Sequence, residues 1–364
     1  MRSIYPYKDS RDLMRRRLYL TIIGFLFSCP VFSQEGPIIK EEFIFKQAPY
    51  KSCHASTIAE TKSGLVAAWF GGTQEKHKDV EIWFSSNRMG VWSVPVSIAD
   101  GVVETQRYPC WNPVLFYTGK GTLLLFYKVG PSPSEWWGMM KYSNDDGYTW
   151  SEGTRLPEGI LGPIKNKPVM ISENVLLCPS STEHDGWKVH MERFHLNSNR
   201  WDMPVQVNYD SKFNVIQPTI LKHPDGSLQA LCRSRQGFII TSTSADQGKS
   251  WTAFKQTNLP NPNSGIDAVT LKNGKHILVY NHTGIPKGQW GGDRHPLNVA
   301  VSHDGRQWYA GIVLEDQESE YSYPAVIQSA DGLVHILYTW KRLRIKHVVI
   351  DPDRLPENDM SIWE

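Results

Sequence analysis

An all-β chain folded as a six-bladed β-propeller is what this sequence predicts, and three observations carry the prediction. Trp, Tyr and Phe number 14, 15 and 13 beside 28 Gly and 23 Pro, a mixture for which helical domains have little use. A turn closed by Trp recurs at intervals of roughly 50–58 residues, within the range of repeat architectures. Between those turns lie six segments of the form strand, polar turn, strand.

Taken in order, the chain begins with a segment that reads as a leader. Arg15-Arg16-Arg17 precedes the apolar run LYLTIIGFLF, and Ser33 supplies a small residue for cleavage, the pattern of a secretory signal peptide over 1–33. The run is too short for a membrane span. Leu26-Phe27-Ser28-Cys29 is also an imperfect lipobox, so a lipid anchor at Cys29 is a second expectation. The formal charge of +2, from 39 Lys+Arg and 37 Asp+Glu, belongs mostly to this leader. Without 1–33 the chain carries 33 Lys+Arg and 35 Asp+Glu. No broadly basic surface for nucleic acid remains. The expected location is secreted or periplasmic, with an outer-membrane lipoprotein as the alternative.

Residues 34–364 read as one domain, because no low-complexity linker divides them. Residues before about 45 are expected to supply an outer strand that closes the ring with the last blade. The six hairpins begin near residues 56, 113, 168, 218, 267 and 324. They run from STIAETKSGLVAAWFGG to PAVIQSADGLVHILYTWKR, and the third, PVMISENVLLCPSS, lacks the turn Gly. Outer strands such as VEIWFSS, WGMMKYS and GFIITSTS follow them. The Trp-closed turns are SNDDGYTW at 143–150, SADQGKSW at 244–251 and SHDGRQW at 302–308, with weaker copies at 86–92 and 198–201. Ser and Asp bind backbone in such a turn, Gly supplies positive φ, and Trp anchors it from beneath. Repeated four-stranded units of this kind are propeller blades. Cys53, Cys110, Cys178 and Cys232 show no CxxC spacing; for Cys53 and Cys110, a disulfide and two buried thiols are both open.

In a propeller the innermost strands line a channel, so ligand-binding residues come from the loops leading into them and from the loops leaving the second strands on the same face. Here those loops include YKSCHAS, TQRYPCWNP, GPIKNKP, NVIQP and ESEYSYP, and GGTQEKHKD, SSTEHDG, RSRQG, NHTGIPKGQWGGDR and WKRLR. They are rich in charged and aromatic residues and describe a polar, aromatic-walled cup suited to an oxygen-rich anion.

The turns of form S-x-D-x-G-x-x-W over 45–350 resemble the Asp boxes of the sialidase-like superfamily of bacterial neuraminidase-repeat proteins. That resemblance implies a propeller of sialidase type. It also implies an arginine triad for a sugar carboxylate, a Tyr nucleophile assisted by Glu, and a carboxyl acid/base. Arg233 or Arg235, in CRSRQG, resembles the second triad arginine, and Arg294, in GDRHPLNVAVSHDG, the third. Tyr321, in EYSYPAV, resembles the nucleophile, with Tyr323 as its competitor. Asp79 or Glu75 occupies the loop that supplies the acid/base. This sequence departs from the pattern at two or three positions, the spacing EKHKD around Glu75 and Asp79, which does not reproduce the usual aspartate motif, among them. Ser52-Cys53-His54 stands where an Arg-Ile-Pro motif is expected. Gln217, which has no basic atom, stands where the family places its Glu.

Read singly, His54 is a candidate base or acid near neutral pH. The arginines suit bidentate carboxylate recognition. A phenol with a reference pKa of about 10 needs a neighbouring base or cations before it can attack; Glu320 and Glu318 are the nearest carboxylates in sequence. Asn112, Lys165 and Asn166, with Trp111, Trp136 and Trp137, read as substrate walls. Trp69, Trp290 and Trp340 also fall in or beside the cup loops. Arg342, Arg344 and His347 alternate along one strand, so one or two of them at most reach the cup. No metal or nucleotide motif is present, so no cofactor is expected.

The functional expectation is an exo-acting glycosidase that cleaves a terminal acidic sugar (sialic acid, another ulosonic acid or a uronate) from a glycan. Two alternatives stand beside it. One is a polysaccharide lyase or rhamnosidase-like hydrolase working through His54 on the same scaffold. The other is a non-catalytic glycan-binding propeller.

Overall fold

A strand covered on both faces needs an apolar residue at nearly every position rather than at every second one. The second strands of the hairpins are of this kind: Leu123–Val129 and Leu228–Ser234 are buried along their whole length. The computed structural model describes residues 36–207 and 212–363. The predicted leader and the lipobox at Cys29 lie outside the described residues.

Six antiparallel sheets follow one another along the chain and form the blades of a propeller. Blade 1 runs from Ser52–Thr61 through Gly64–Gly72 and Glu81–Arg88 to Val96–Ala99. Blades 2, 3 and 4 start on the innermost strands Cys110–Tyr117, Val169–Ser172 and Val215–Lys222. Blade 5 starts on Asp267–Thr270. Blade 6 holds Tyr321–Gln328, Val334–Trp340 and Arg344–Ile350, and its outermost strand is Ile38–Phe43 from the other end of the sequence. The first strand therefore closes the last blade, as the sequence predicts. Among the described residues the helices are two short 3₁₀ turns, and no helix is long and apolar enough to cross a membrane.

The core lies between blades rather than at one centre. Separate buried clusters fill the interfaces of blades 1 and 2, 2 and 3, 3 and 4, 4 and 5, 5 and 6, and 6 and 1. Each fully buried Leu, Ile or Phe contributes about 1.5–3 kcal/mol. Polar side chains add ties near the axis. Asp267 accepts from Lys167 Nζ at 2.9 Å, from Thr219 Oγ1 at 2.8 Å and from the Val326 N–H at 2.9 Å, joining blades 3, 4, 5 and 6. Thr339 Oγ1 accepts from the Ala55 N–H at 3.2 Å, across the closing interface.

The Trp-closed turns hold blades together as well as ending strands. In 143–150, Ser143 Oγ accepts from the Gly147 N–H at 2.8 Å, and Asp145 accepts from the Thr149 N–H at 2.9 Å and its hydroxyl at 2.6 Å. Ser244, Asp246, Gly248 and Ser250 repeat these bonds at the same distances. Gly147 has φ +91° and lies against the Phe84 ring of blade 1, so both its conformation and its neighbour demand Gly. Trp150 meets that ring edge-on with centroids 5.6 Å apart. Cys53, Cys110, Cys178 and Cys232 are buried free thiols, so no disulfide joins Cys53 to Cys110. Trp69 and Trp340 belong to interblade packing rather than to the cup.

Candidate active site

Where an innermost strand meets the channel, its regular register breaks. Such breaks fall at His54/Thr57, opposite Phe126/Lys128, at Ile216/Thr219 and at Ser322/Ala325. The bulged residues Ala55, Asn112, Gln217 and Tyr323 have φ of 55°, 37°, 54° and 52°. Three of them precede Pro113, Pro218 and Pro324, which cannot donate to the ladder and so favour a bulge. A bulge re-aims its side chain, and here it turns Asn112, Gln217 and Tyr323 into one cup. A non-glycine residue held left-handed costs about 1–3 kcal/mol, and the surrounding strands sustain that cost at each position.

The cup encloses about 330 Å³, and every blade contributes to its wall. The Tyr323 hydroxyl stands at its floor. Arg233 Nη1 donates to it at 2.8 Å and Gln217 Nε2 at 3.3 Å. Both lone-pair directions of the phenol oxygen are then occupied, which leaves its proton for a third partner. The His54 ring lies 4.1 Å from the Tyr323 ring, and His54 Nδ1 bonds Thr339 Oγ1 at 3.0 Å. Arg233 is buried; its Nε donates to Asn263 Oδ1 at 3.0 Å and its Nη1 also to Gln217 Oε1 at 3.2 Å, and among the described residues no carboxylate pairs with it. Glu320 bridges the other two arginines, accepting from Arg294 Nη1 at 2.9 Å and from Arg342 Nε at 2.8 Å. Arg342 Nη1 also reaches Glu75 at 2.5 Å.

Charge in the cup is unbalanced. Arg233, Arg294, Arg342 and Lys76 line it against Glu75 and Glu183. Burial first, and then the charges of Arg342, Arg294, Arg233 and Lys165, hold His54 well below the usual imidazole range, so it is neutral. Burial works to raise Glu320, but Arg294 and Arg342 outweigh it and keep the carboxyl below its ordinary value. Glu183 goes the other way. Burial raises it, against the opposing pull of Arg233, a hydrogen bond from Trp187 and Arg235. Two carboxyls at one site are thus shifted in opposite directions, the pattern that acid and base assignments use.

Of the residues singled out from sequence, His54, Glu75, Trp111, Asn112, Gln217, Arg233, Arg294, Tyr323 and Arg342 line the cup. Others, Asn166, Arg344 and His347 among them, do not line it. Tyr321 is 1% exposed and packs in the apolar cluster between blades 5 and 6, because the bulge turns Tyr323 but not Tyr321 toward the channel. Asp79 folds its own loop: it accepts from the Thr73 N–H at 2.9 Å and hydroxyl at 2.6 Å, and pairs with His77 at 2.7 Å. Lys165 is a strut beneath Tyr323. Its ammonium donates to Asn166 Oδ1 and the Ile266 carbonyl, each at 2.9 Å, and to the Pro324 carbonyl, leaving no proton for a ligand. Burial pushes it down to about 7. Arg235 is exposed at the rim, stacked 5.2 Å from the Trp187 ring and 5.4 Å from the Trp290 ring. Trp136 and Trp290 line the cup, whereas Trp137 does not. Sequence reasoning missed Glu183, Trp187 and Lys76 as site residues; Glu183 lies in an outgoing loop already selected, SSTEHDG, and Trp187 directly follows it. Among the described residues, no group of three His, Cys, Asp or Glu is arranged to hold a metal ion.

Comparison with known proteins agrees with this architecture. Residues 63–336 match the family described as the BNR repeat-like domain. An anhydrosialidase from Macrobdella decora is 25% identical over 257 residues, which is 58% of this chain and 31% of that protein. The chain therefore matches under a third of the length of that curated relative. A structure of a protein of unknown function from Dyadobacter fermentans superposes with a TM-score of 0.70 at 15% identity, covering 86% of this chain and 98% of the other. The intramolecular trans-sialidase from Ruminococcus gnavus, in complex with oseltamivir carboxylate, gives 0.69 at 14% identity, covering 88% and 99%. At such identities the likeness establishes the fold.

Proposed function

The chain belongs to the BNR repeat-like domain family, and on that premise we propose that the cup is the active site of a sialidase-like glycosidase removing a terminal acidic sugar from a glycan. The observation that carries this reading is the Tyr323 hydroxyl, held by Arg233 at 2.8 Å on the floor of a cup with more cations than carboxyls. The excess charge favours an anionic sugar, and Arg233, which no carboxylate among the described residues pairs with, is suited to take its carboxylate.

In the forward step the Tyr323 oxygen attacks the anomeric carbon as the glycosidic C–O bond breaks. Arg233 stabilises the phenolate as it forms, and the phenol proton passes to water because Gln217 has no basic atom. Glu183, whose carboxyl burial raises above its ordinary value, gives its proton to the leaving oxygen. Water then attacks the sugar–Tyr323 bond, Glu183 recovers a proton from that water, and the phenolate is reprotonated from solvent. Glu75, tied to Arg342, serves to position that arginine. A fluorinated acidic-sugar glycoside with a good leaving group should leave its sugar on Tyr323, detected as added mass on the peptide that contains it. Turnover of that compound with no adduct, or an adduct on another residue, would contradict the assignment.

One observation favours a second reading. A neutral imidazole, that of His54, lies 4.1 Å from the Tyr323 ring while the position of a basic partner is filled by Gln217. In this reading His54 removes the proton beside a uronate carboxylate, the C–O bond to the leaving sugar breaks, and Tyr323 protonates the leaving oxygen. No water is consumed, so an unsaturated product identifies it.

A further inference from the structure

Beside the cup, between blades 2 and 3, lies a second cleft of about 460 Å³. Its apolar side is formed by Trp136, Trp137 and Leu161, and its polar side by Arg155, His184 and His190. The wall dividing it from the cup is thin. Trp136 faces both spaces, and along 182–184 the residues alternate, with Thr182 and His184 toward the cleft and Glu183 toward the cup. His184 Nδ1 bonds the Ser134 carbonyl and pins this wall to the neighbouring loop.

Two buried polar atoms on cleft-lining residues have no partner among the described residues: His190 Nδ1 and Trp136 Nε1. The His190 role follows from its other nitrogen. Glu192 accepts from the Leu161 N–H at 2.9 Å and the Gly162 N–H at 2.7 Å, so it is an acceptor toward His190 Nε2 at 2.9 Å as well. In the neutral ring the proton then sits on Nε2, and Nδ1 is left as an acceptor. Trp136 Nε1 is a donor only. Both atoms are closed to solvent and belong to the wall beneath the cleft; a ligand rich in hydroxyls is matched instead by the polar side chains that line it, Arg155, Glu158, His184 and Gln206. The Trp137 ring, with the Arg155 guanidinium 4.9 Å from its centre, provides an aromatic and charged edge for such a ligand.

We propose that this cleft is a saccharide subsite that holds the part of the glycan running away from the sugar in the cup. The proposal rests on the reading of the cup as the terminal-sugar site. It assigns specificity for chain length and branching to blades 2 and 3, while the chemistry stays at Tyr323.

The test is fluorine NMR of the full chain labelled with 5-fluorotryptophan, its resonances assigned with Trp→Phe variants. The probes are free sialic acid and glucuronic acid, and di- to hexasaccharides that end in either. Trp187 and Trp290 report on the cup, and Trp137 on the cleft. The expected result is that the monosaccharides move only the cup resonances, whereas longer chains also move Trp137. Arg155→Ala should then weaken the longer chains by about tenfold without affecting the monosaccharides. Cup resonances that respond while Trp137 stays silent at every length would overturn the subsite and leave the cup reading intact. A Trp137 response without a cup response would uphold a saccharide cleft and overturn the cup as the terminal-sugar site. Silence at both places would overturn both.

Discussion

Tyr321 and Tyr323 differ by two positions and share a strand, yet one is core and the other is the floor of the cup. On a regular strand residues at that spacing share a face, so spacing alone cannot choose between them. The bulge over Ser322–Ala325, with Tyr323 at φ 52°, decides the matter, and its only trace in the sequence is Pro324. Tyr323→Phe is expected to lower turnover at least a thousandfold, of the order reported for loss of a nucleophile or its activation, while Tyr321→Phe keeps activity within about twofold. Steady-state rates on any cleaved glycoside check both. Gln217→Glu would put a carboxylate within reach of the phenol, and general-base assistance should raise the rate by about 10²-fold. Glu183 is held above its ordinary value, so it works as an acid while protonated and the rate falls as pH rises through its raised pKa. Glu183→Gln should remove that limb of the pH profile and spare leaving groups that need no proton.

At the scale of the element, the Trp-closed turn was fully legible because its chemistry is local. Ser143, Asp145 and Gly147 satisfy backbone within a few residues of themselves, and the same spacing at Ser244, Asp246 and Gly248 gives the same bonds. Gly147→Ala must enter the left-handed region against the Phe84 ring and should cost about 1–3 kcal/mol by denaturant unfolding. The loops were legible as places but not as partners. Asp79 and Lys165 carry the right charges in the right loops, but Asp79 is spent on Thr73 within its own loop, and Lys165 is bound to Ile266 and Pro324, positions that no sequence spacing connects to it. The closing strand Ile38–Phe43 carries its own pH dependence. Burial would raise Glu42, but His347 and Lys40 outweigh it and bring the carboxyl down to about 2, from 4.5. A carboxyl lowered in the folded state contributes stability that is complete above its unfolded value and is lost as pH falls toward the folded one. Protection of the amides in 38–43, taken relative to their intrinsic exchange rates, should therefore fall between about pH 4.5 and 2, ahead of the strands of blade 4.

For the whole molecule, the hairpin count was enough to predict six blades, because each blade repeats one apolar pattern at a nearly constant interval. The closure by the first strand followed from the need to cover an edge, and Ile38–Phe43 pairs with Arg344–Ile350 accordingly. Not legible was the axial network, since it joins residues about one or two blades apart. Asp267 ties Lys167, Thr219 and Val326 from three other blades. Asp267→Ala leaves the Lys167 ammonium without its carboxylate partner and should cost about 3–5 kcal/mol, read as a lower denaturant midpoint. The ring is the frame that lets a residue of blade 4, Arg233, meet one of blade 6, Tyr323, at 2.8 Å. The central claim is that this meeting is the chemical centre of a hydrolase. It is tested most directly by incubating the protein and its Tyr323→Phe variant with glycans ending in sialic acid, other ulosonic acids or uronates, and recording product masses. The account predicts a released acidic sugar whose formation adds one water with the wild-type chain and none with the variant; an unsaturated product without added water, or undiminished release by Tyr323→Phe, would contradict it.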